Sequence, residues 1–480
     1  MSEPVWVPDG VLEEKIDRWI QAHQEDFVRD LRELVAVPSV SGPREGDYPF
    51  GRECGRVLQL ALEKAEQYGF QAENYENYCG GCRLKGEKTG EIGLFSHLDV
   101  VPLGDGWEYP PLGCTLKDGF LVGRGVSDNK GPAVAALYAL RFLRENGIRL
   151  KHDVLLYFGC SEERGMEDIE HFTSTRPLPD FSLVPDTNFP VCYGEKGIFR
   201  ATARKTINGR LKSFQVGEVA NVIPAYGEAV IHTGSVQEAK AICDRLNGIK
   251  GISGECWGKS DTDVKVEAEG LSRHAAFPDG SVNAVQVLAE ALKTSGMLCG
   301  EEKRAIAGIA SLTASVHGET AGIPFEDEET GKLTCCGTVV RLEKGELTLS
   351  FDIRYPSSFC GEQVRSGLEN AVGEFGFVLE DITDSGPFFI SPDRPEIRTL
   401  CRVADHVLRR SYEPYTMGGG TYARHLPNAV GFGPGLPDQK NPFPPGRGQG
   451  HQPDECIELC QLIDGFKAYV LALLALDEIL

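Results

Sequence analysis

The sequence has little positive charge and no long apolar run. Its 480 residues include 71 aspartates and glutamates but only 49 lysines and arginines, so the formal net charge is −22. A charge of this sign and size disfavours nucleic acid and anionic membrane surfaces as partners. No uninterrupted apolar stretch reaches about 18 residues, so no helix that crosses a membrane is predicted. We therefore expect neither nucleic acid nor a membrane among the partners of this chain.

Signals for secretion and for disulfide bonding are lacking as well. The opening residues, MSEPVWVPDGVLEEK, contain no basic segment followed by an apolar one, so no secretory signal is predicted. The 15 cysteines are odd in number and have no regular spacing, which favours reduced thiols in a cytosol. One C-x-x-C, Cys79–Cys82, has no second pair and does not predict a zinc or redox site. The expected location is cytoplasmic.

A histidine and an aspartate stand at the end of the first apolar run. The stretch Glu91–Pro111 begins with apolar residues that predict a buried strand and continues through His97 and Asp99. Side chains alternate along a strand, so these two residues are expected to point the same way. A histidine that binds metal usually donates its other ring N–H to a carboxylate or a carbonyl. On its own, however, H-x-D also fits a polar strand end that faces solvent.

Other apolar runs end on carboxylates in the same manner. Asp153–Gly159 is typical of a parallel strand buried on both faces, and Glu162 and Glu163 follow it. Phe181–Asp186 predicts a further short strand that ends on a carboxylate, and Asp128 directly precedes a predicted helix. In open α/β sheets, functional groups gather at the carboxyl ends of the strands. The four clusters therefore predict one site at one edge of a sheet.

The order of the predicted elements indicates the fold class. Predicted strands alternate with helices up to residue 197, which favours an α/β fold with a mixed, mostly parallel sheet sandwiched by helices. From residue 198 to 387, alternating strand-like runs flank helices, as in an inserted α+β domain. Residues 388–480 return to helix and strand. We expect residues 1–197 and 388–480 to form one catalytic domain.

The polar residues at the predicted edge suit hydrolysis assisted by two metal ions. Water attack on an amide needs an activated nucleophile and an electrophile, and two divalent metals about 3.5–4 Å apart supply both. Imidazole and carboxylate ligands suit zinc, manganese or cobalt. The candidate ligands are His97, Asp128, Glu163, Asp186 and His451. In an extended segment Glu162 points away from Glu163 and could act as general base, although the pair alone fits a solvated acidic loop better.

Several stretches resemble a known family. The segments SHLDVVPLGDGWEYPP, GRGVSDNKGPAVAALYAL, GCSEERGMEDI, VPDTNFP and GQGHQPDE are similar to the dinuclear metallopeptidases that include aminoacylase, carboxypeptidase G, succinyl-diaminopimelate desuccinylase and carnosinase. Within that family, GDGWEYPP, GRGVSDNKGP, YGEKG, GGGTYAR and DIRYP most resemble the bacterial PepV-type dipeptidases. The resemblance implies a phosphorylase/hydrolase-like catalytic domain and an enlarged lid, formed by the insertion. It also implies a monomer that completes its own active site.

The resemblance further implies roles for the residues that match the family motifs. One metal ion would be held by His97, Asp128 and Asp186. The other would be held by Asp128, Glu163 and His451, with Asp128 bridging. Glu162 would be the general base, with Asp99 as its supporting carboxylate. The two ions are expected to be Zn²⁺, with Mn²⁺ or Co²⁺ as alternatives.

Substrate contacts are implied mostly within the insertion. SRHAAFPDGSVNA is similar to the segment whose histidine, here His274, stabilises the tetrahedral intermediate; the alternative is a packed core residue. Asn221 and Arg354 would hold the C-terminal carboxylate of the substrate, because the planar guanidinium pairs bidentately with a carboxylate. The alternative for Arg354 is a salt bridge with Asp352. The implied lining of the same pocket is Gly420 and Thr421.

The chain departs from the family pattern at Asn129, where relatives commonly carry a second aspartate. Because Asp128 itself is present, we expect metal binding to persist. The predicted function is therefore a metal-dependent dipeptidase acting on short peptides with a free C-terminal carboxylate. Two alternatives stay open: an N-acyl-amino-acid deacylase or related amidohydrolase with the same metal core, and a non-catalytic binding module.

Overall fold

The computed structural model describes residues 10–258 and 262–480, which form two compact units. Unit 1 comprises the chain up to Tyr193 together with Ile390–Tyr415 and Thr421–Leu480. Unit 2 comprises Gly194–Phe389 and Thr416–Gly420. The insertion predicted from the sequence, 198–387, does not include the second segment of unit 2. The residues used to predict the lack of a secretory signal lie mostly outside the described residues.

The helices and strands of the described residues are numbered in chain order. The α-helices are α1 Gly10–Val35, α2 Arg52–Gln67, α3 Lys130–Glu145, α4 Glu167–Thr175, α5 Val236–Leu246, α6 Ala284–Thr294, α7 Gly300–Leu312, α8 Gly361–Gly373, α9 Pro395–Leu408 and α10 Leu459–Ile479. Short 3₁₀ helices span Glu162–Arg164, Glu319–Ala321 and Tyr422–His425. The strands are β1 Gln71–Tyr75, β2 Cys79–Leu84, β3 Glu91–His97, β4 Thr115–Lys117, β5 Phe120–Val122, β6 Asp153–Gly159, β7 Phe181–Val184, β8 Thr187–Asn188, β9 Cys192–Glu195, β10 Gly197–Thr206, β11 Leu211–Val216, β12 Val222–Ile223, β13 Tyr226–His232, β14 Ile252–Trp257, β15 Asp263–Glu269, β16 Arg273–His274, β17 Glu326–Asp327, β18 Gly331–Lys332, β19 Thr334–Glu343, β20 Glu346–Tyr355, β21 Val378–Ser385, β22 Phe388–Phe389, β23 Tyr415–Met417, β24 Ala429–Gly431, β25 Pro434–Gly435 and β26 Cys456–Glu458.

The main sheet of unit 1 has a parallel centre. Six of its strands run in the order β1-β2-β6-β3-β7-β24, where β3 is parallel to both β6 and β7, and β7 is parallel to β24. Strands β1 and β2 extend the sheet in the antiparallel sense. Every residue of β3 and β6 after the first is buried, because their apolar runs are covered on both faces. The predicted α/β fold is confirmed.

Helix α10 shows how unit 1 covers its core. By length and composition it is the one helix of the described residues that could cross a membrane, but 72% of its apolar window is buried. It packs against α3 and α9, and its buried side includes Phe466 and Tyr469. Such burial is typical of a core helix.

Unit 2 is built on an antiparallel sheet of eight strands in the order β14-β15-β13-β11-β19-β20-β10-β21. Strands β10, β13 and β15 alternate buried and more exposed residues, the pattern of a sheet with one face on the core. Apolar residues of helices α5 to α8 join the buried face in one cluster. A separate two-stranded ladder pairs β12 with β16.

Candidate active site

The parallel strands of unit 1 deliver His97 to the carboxyl edge of the sheet. His97 is the last residue of β3 and pairs with Gly159, the last residue of β6. Asp99 lies beyond the end of β3, so the expectation that both residues belong to the strand was wrong. Beyond β3, the N–H of Leu98 still donates to the carbonyl oxygen of Gly159, and the N–H of Val100 donates to the carbonyl oxygen of Ser39. Asp99 nevertheless stays on the His97 side, with Oδ1 3.4 Å from Nδ1 of that ring.

The hydrogen bonds of His97 leave one ring nitrogen for a ligand role. Its Nδ1 lies 3.0 Å from the backbone carbonyl oxygen of Asp99, which can only accept, so Nδ1 carries the proton. Its Nε2 lies 3.0 Å from Oδ1 of Asp128 and 3.7 Å from Oδ2 of Asp186. The ring is 1% exposed and is therefore held in this orientation.

Asp128 lies between the two candidate histidines. While its Oδ1 faces Nε2 of His97, its Oδ2 lies 3.1 Å from Nε2 of His451. The same nitrogen of His451 lies 2.9 Å from Oε1 of Glu163. One carboxylate whose two oxygens face two imidazoles is the arrangement that a bridging ligand requires. The structure thus brings together the five candidate ligands named from the sequence.

The two adjacent glutamates stand in a turn of 3₁₀ helix, Glu162–Arg164, and not in the extended segment expected from the sequence. The turn forms because Asp99 accepts both of their backbone N–H groups: Oδ1 accepts from Glu162 and Oδ2 from Glu163, each at 3.1 Å. Asp99 therefore supports the backbone of both glutamates, which extends the role predicted for it. Since successive residues of a 3₁₀ helix are about 120° apart, the two side chains still point in different directions.

A second buried carboxylate, Asp168, holds the chain that leads into this turn. Its Oδ2 accepts from the N–H of Cys160 at 2.6 Å and from the N–H of Ser161 at 2.8 Å, and Tyr422 donates its hydroxyl to the same oxygen. Burial, and then the charge of Asp99, raises the pKa of Asp168 to about 6. The sequence reasoning did not identify Asp168, although it lies in the quoted segment GCSEERGMEDI.

The electrostatics of the cluster show that its carboxylates are crowded. Burial, and then the charge of Asp128, raises the pKa of Glu163 to about 7. Burial raises the pKa of Glu162 well above its ordinary value, although the nearby His97 opposes that shift. Burial lowers the pKa of His451, but hydrogen bonds to Asp128 and Glu163 outweigh it and raise the value to about 11. Negative charge in excess at a buried site is what bound cations would neutralise.

Among the described residues, two groups of side chains have potential ligand atoms within 4.8 Å of one another: His97 with Glu162 and Asp186, and His97 with Asp128 and Glu163. The first group differs from the predicted ligand set in one residue. It contains Glu162, which was predicted to be the general base, in place of Asp128. We favour Asp128, because only its two oxygens face both imidazoles. His451 completes the second group through its contacts with Asp128 and Glu163.

Asn129, the residue that departs from the family pattern, is buried behind the cluster. Its side-chain amide donates to the carbonyl oxygen of Pro185 at 2.6 Å and to Oδ1 of Asp186 at 2.9 Å. Its side-chain oxygen, Oδ1, accepts from the backbone N–H of His97 at 3.3 Å. The amide therefore engages one oxygen of Asp186 and leaves Oδ2 facing His97. An aspartate in this place could not donate both hydrogen bonds.

Unit 2 brings together two of the candidate substrate residues. In the β12–β16 ladder Val222 pairs with His274, and the N–H of Ala275 donates to the carbonyl oxygen of Asn221 at 2.8 Å. His274 is exposed, so it is not the packed core residue considered as its alternative. Its Nδ1 accepts from the N–H of Ala276 at 3.1 Å, which orients the ring.

Arg354, also in unit 2, makes the salt bridge that was its alternative interpretation. Its Nε and Nη2 donate to the two oxygens of Asp352 at 2.6 and 3.0 Å, and its Nη1 donates to the carbonyl oxygen of Gly418 at 3.0 Å. Both side chains are buried. The salt bridge fixes the guanidinium plane.

The remaining two candidates stand at the boundary between the units. Gly420 is the last residue of the second segment of unit 2, and Thr421 is the first residue of the last segment of unit 1. The hydroxyl of Thr421 accepts from the N–H of Ala423 and caps the 3₁₀ helix that begins at Tyr422. This contact gives Thr421 a structural role that the sequence did not predict.

Comparison with known proteins agrees with these observations. The sequence pattern of peptidase family M20/M25/M40 matches residues 93–475. A relative from Bacillus subtilis (strain 168), named Putative dipeptidase YtjP, is 30% identical over 468 residues, which cover 95% of this chain and 98% of that protein. A relative of the same descriptive name from Staphylococcus aureus (strain USA300) is 27% identical over 475 residues, covering 95% and 98%.

Solved structures show the same fold. Human carnosine dipeptidase 1 matches 97% of this chain and 99% of its own with a TM-score of 0.56 at 18% identity. The dipeptidase Dug1p from Saccharomyces cerevisiae matches 97% and 98% with a TM-score of 0.60 at 14% identity. The resemblance and the enzyme class that the motifs predicted, a metallopeptidase, are therefore confirmed. The chain belongs to peptidase family M20/M25/M40.

Proposed function

We propose that this chain is a dipeptidase that cleaves the peptide bond of short peptides with a free C-terminal carboxylate. The observation that carries the proposal is the position of Asp128, whose two oxygens face Nε2 of His97 and Nε2 of His451. Glu162 lies in the same cluster. The names of the Bacillus and Staphylococcus relatives support dipeptides as the substrate class.

The donor set fits two divalent metal ions. His97, Asp128 and Asp186 would hold one ion, and Asp128, Glu163 and His451 the other. When bound, such a pair lowers the pKa of water and polarises the scissile carbonyl. Mixed imidazole and carboxylate donors suit Zn²⁺, our first choice, and also Mn²⁺ and Co²⁺.

In the proposed reaction Glu162 accepts a proton from the attacking water and returns it to the leaving amine. In the metal-free site, burial raises the pKa of this carboxyl group above that of an exposed glutamate. Asp99 keeps the base in place, because it holds the N–H groups of Glu162 and Glu163 at the same time. Misplacing a catalytic group by about 1 Å can cost about 100-fold in rate, so this support matters.

The proposed substrate contacts come from both units. In unit 2, Arg354 and Asn221 would bind the C-terminal carboxylate, and His274 would stabilise the negative charge that develops on the scissile carbonyl oxygen. The plane of Arg354 is already fixed by Asp352, which favours bidentate recognition. Gly420 and Thr421 would line the carboxylate pocket. We propose that unit 2 is the lid domain of this chain.

We further propose a cytoplasmic monomer that binds neither nucleic acid nor membranes. The net charge of −22 and the 15 free cysteines support the location and the excluded partners. The large size of unit 2 supports a site completed within one chain. The oligomeric state is measured directly by light scattering on the full chain.

To test the proposal, the full chain is reconstituted with metal and assayed for hydrolysis of three substrate classes: dipeptides, matched tripeptides and N-acetyl amino acids. Each assay is run with and without a chelator. We expect chelator-sensitive cleavage confined to the dipeptides. Cleavage of the N-acetyl compounds instead would assign the chain to the deacylases. Absence of turnover on every substrate, with two metal ions bound, would overturn the proposed activity and favour a binding module.

A further inference from the structure

Behind the proposed metal ligands lies a buried ion pair that the proposed mechanism does not use. Arg124 is 1% exposed and Glu455 is 0% exposed, and Nη1 of Arg124 donates to Oε2 of Glu455 over 2.7 Å. Desolvation offsets much of the attraction within such a pair, so burial alone does not explain its presence. The remaining contacts of the two side chains point to a different role.

Glu455 holds the backbone segment that ends at Asp128. Its Oε1 accepts from the N–H groups of Gly125, Ser127 and Asp128 at 3.0, 3.0 and 3.1 Å. Gly125 has a φ of 87°, a conformation that residues with a side chain rarely adopt. A single carboxylate oxygen thus fixes the curved segment from which the proposed bridging ligand projects.

Arg124 reaches the loop that carries His451. Its Nη2 lies 3.4 Å from the carbonyl oxygens of His451, Pro102 and Leu103, and its guanidinium stands 5.1 Å from the ring centre of Trp107. His451 itself has a φ of 66°. A non-glycine residue keeps such a conformation only where surrounding contacts hold it, and the Arg124 side chain supplies one of them.

A short ladder brings these two segments side by side. Strand β5 pairs with β26 so that Val122 faces Cys456, and the N–H of Gly123 donates to the carbonyl oxygen of Glu455 at 2.9 Å. Arg124 therefore lies just after the end of β5, beside Glu455, which lies just before the start of β26. The ion pair joins two segments that each carry a proposed ligand, Asp128 shortly after Arg124 and His451 shortly before Glu455.

We propose that the Arg124–Glu455 pair is a positioning device that sets the directions of Asp128 and His451 together. It fixes the bridging carboxylate through three backbone N–H groups and the histidine loop through one carbonyl oxygen. The inference rests on the proposed two-metal site, because the ligands it positions are those of that site. Partners of this kind behind a metal ligand typically change metal affinity by about 10–100-fold.

Glu455→Gln tests the inference, because it keeps the shape of the side chain and replaces one acceptor oxygen by a donor. That donor must face either Arg124 or the three N–H groups. We expect the dissociation constant of the weaker-bound Co²⁺ ion to rise by about 10–100-fold in chelator competition with the full chain. The Co²⁺ absorption spectrum should change as well, because the coordination geometry is altered.

Asp30→Asn is the matched control. Asp30 is also a buried carboxylate, 3% exposed, and it accepts from Lys64 at 3.0 Å and from the hydroxyl of Tyr138 at 2.9 Å. Its variant should lower the melting temperature but leave both metal affinities unchanged. Should Glu455→Gln fail to fold, Arg124→Lys is the second variant, because it retains the positive charge but loses the planar guanidinium. We expect it to raise the dissociation constant of one metal ion by about tenfold.

The outcomes separate this inference from the proposed function. Unchanged metal affinities in the folded Arg124 and Glu455 variants would overturn the inference, as would an equal loss in Asp30→Asn. A wild-type chain that takes up fewer than two metal ions would overturn both the two-metal site and the inference. Two tightly bound ions without cleavage of dipeptides would overturn the proposed activity alone.

Discussion

The central strands β3, β6 and β7 of unit 1 are buried along almost their whole length, whereas β10, β13 and β15 of unit 2 alternate between buried and exposed residues. A strand covered on both faces carries mostly apolar side chains, and charged ones are expected at its ends. A strand with one open face can carry them at every second position.

This difference decides how visible a site is in the sequence. In unit 1 the polar residues follow apolar runs, as His97 follows its strand and Glu162 and Glu163 follow theirs. In unit 2, by contrast, Arg354 lies within β20, where every second residue from Glu346 onwards is polar. Nothing in that pattern distinguishes Arg354 from the other polar residues. If chemistry belongs to unit 1 and substrate recognition to unit 2, substitutions in the two units should have different kinetic effects.

The largest effect is expected from Glu162→Gln in unit 1. The amide cannot accept the proton of water, so kcat should fall by about 10²–10⁴-fold while the metal content stays at the wild-type level. Steady-state kinetics on a dipeptide and metal analysis of the same sample measure both quantities. Glu170→Gln, at an exposed position of α4, is the control and should leave both unchanged. Wild-type turnover in Glu162→Gln would show that Glu162 is not the general base.

The next largest effect is expected from Arg354→Lys in unit 2. Lysine cannot pair bidentately, so kcat/KM on a dipeptide should fall by about 10–100-fold and by much less on the corresponding dipeptide amide. The control is Arg200→Lys, because Arg200 donates to the same carboxylate, Asp352, at 3.1 Å from the exposed side. An equal loss on the dipeptide and its amide would exclude Arg354 from carboxylate recognition and weaken the division between the units.

A smaller effect is expected from Asn129→Asp, which removes the hydrogen bond from this side chain to Asp186 but leaves every proposed ligand in the sequence. The new carboxylate would face the carbonyl oxygen of Pro185 and Oδ1 of Asp186 without donating to them. We expect the free energy of unfolding of the metal-free chain to fall by about 1–3 kcal/mol in urea titrations. Asn74→Asp, at an exposed position, should change it by at most about 0.5 kcal/mol. Equal stability of the Asn129 and Asn74 variants would contradict this account.

The smallest effect is expected from Asp327→Asn in unit 2, on the free energy of unfolding at acid pH. Burial raises the pKa of Asp327, but hydrogen bonds from Thr330 and Ser358 outweigh it and lower the value from 3.8 to about 2. A folded-state pKa below the ordinary one gives stability that is complete above about pH 4 and is lost as the pH falls towards 2. The stability difference between wild type and Asp327→Asn should therefore shrink over that range in urea titrations. A difference that is constant between about pH 6 and pH 2.5 would contradict the assigned cause.

The α/β architecture of unit 1 and its cluster at the strand ends could be predicted from the sequence, because burial on both faces leaves a clear pattern. His97, Asp128 and Asp186 follow from that pattern together with the motifs. His451 does not, because it lies in a loop rich in proline and glycine that has no periodicity. Only its resemblance to a family motif marked it as a candidate.

The features that the sequence could not predict depend on contacts between distant segments. The 3₁₀ turn of the two glutamates exists because Asp99, about sixty residues earlier, accepts both N–H groups. The buried Arg124–Glu455 pair joins residues 331 positions apart. The two interpretations of Arg354 could not be separated either, because the same planar group that pairs with Asp352 also suits a substrate carboxylate.

The turn at Glu162 and Glu163 has a consequence for tolerance to insertion. The two residues are chemically identical, so only direction can distinguish a proton acceptor from a metal ligand. Each residue added to a 3₁₀ helix rotates the direction of the next side chain by about 120°. One inserted or deleted residue before this turn would therefore exchange or misdirect the two roles without removing either glutamate. The length of this short segment is as much a part of the proposed active site as its composition.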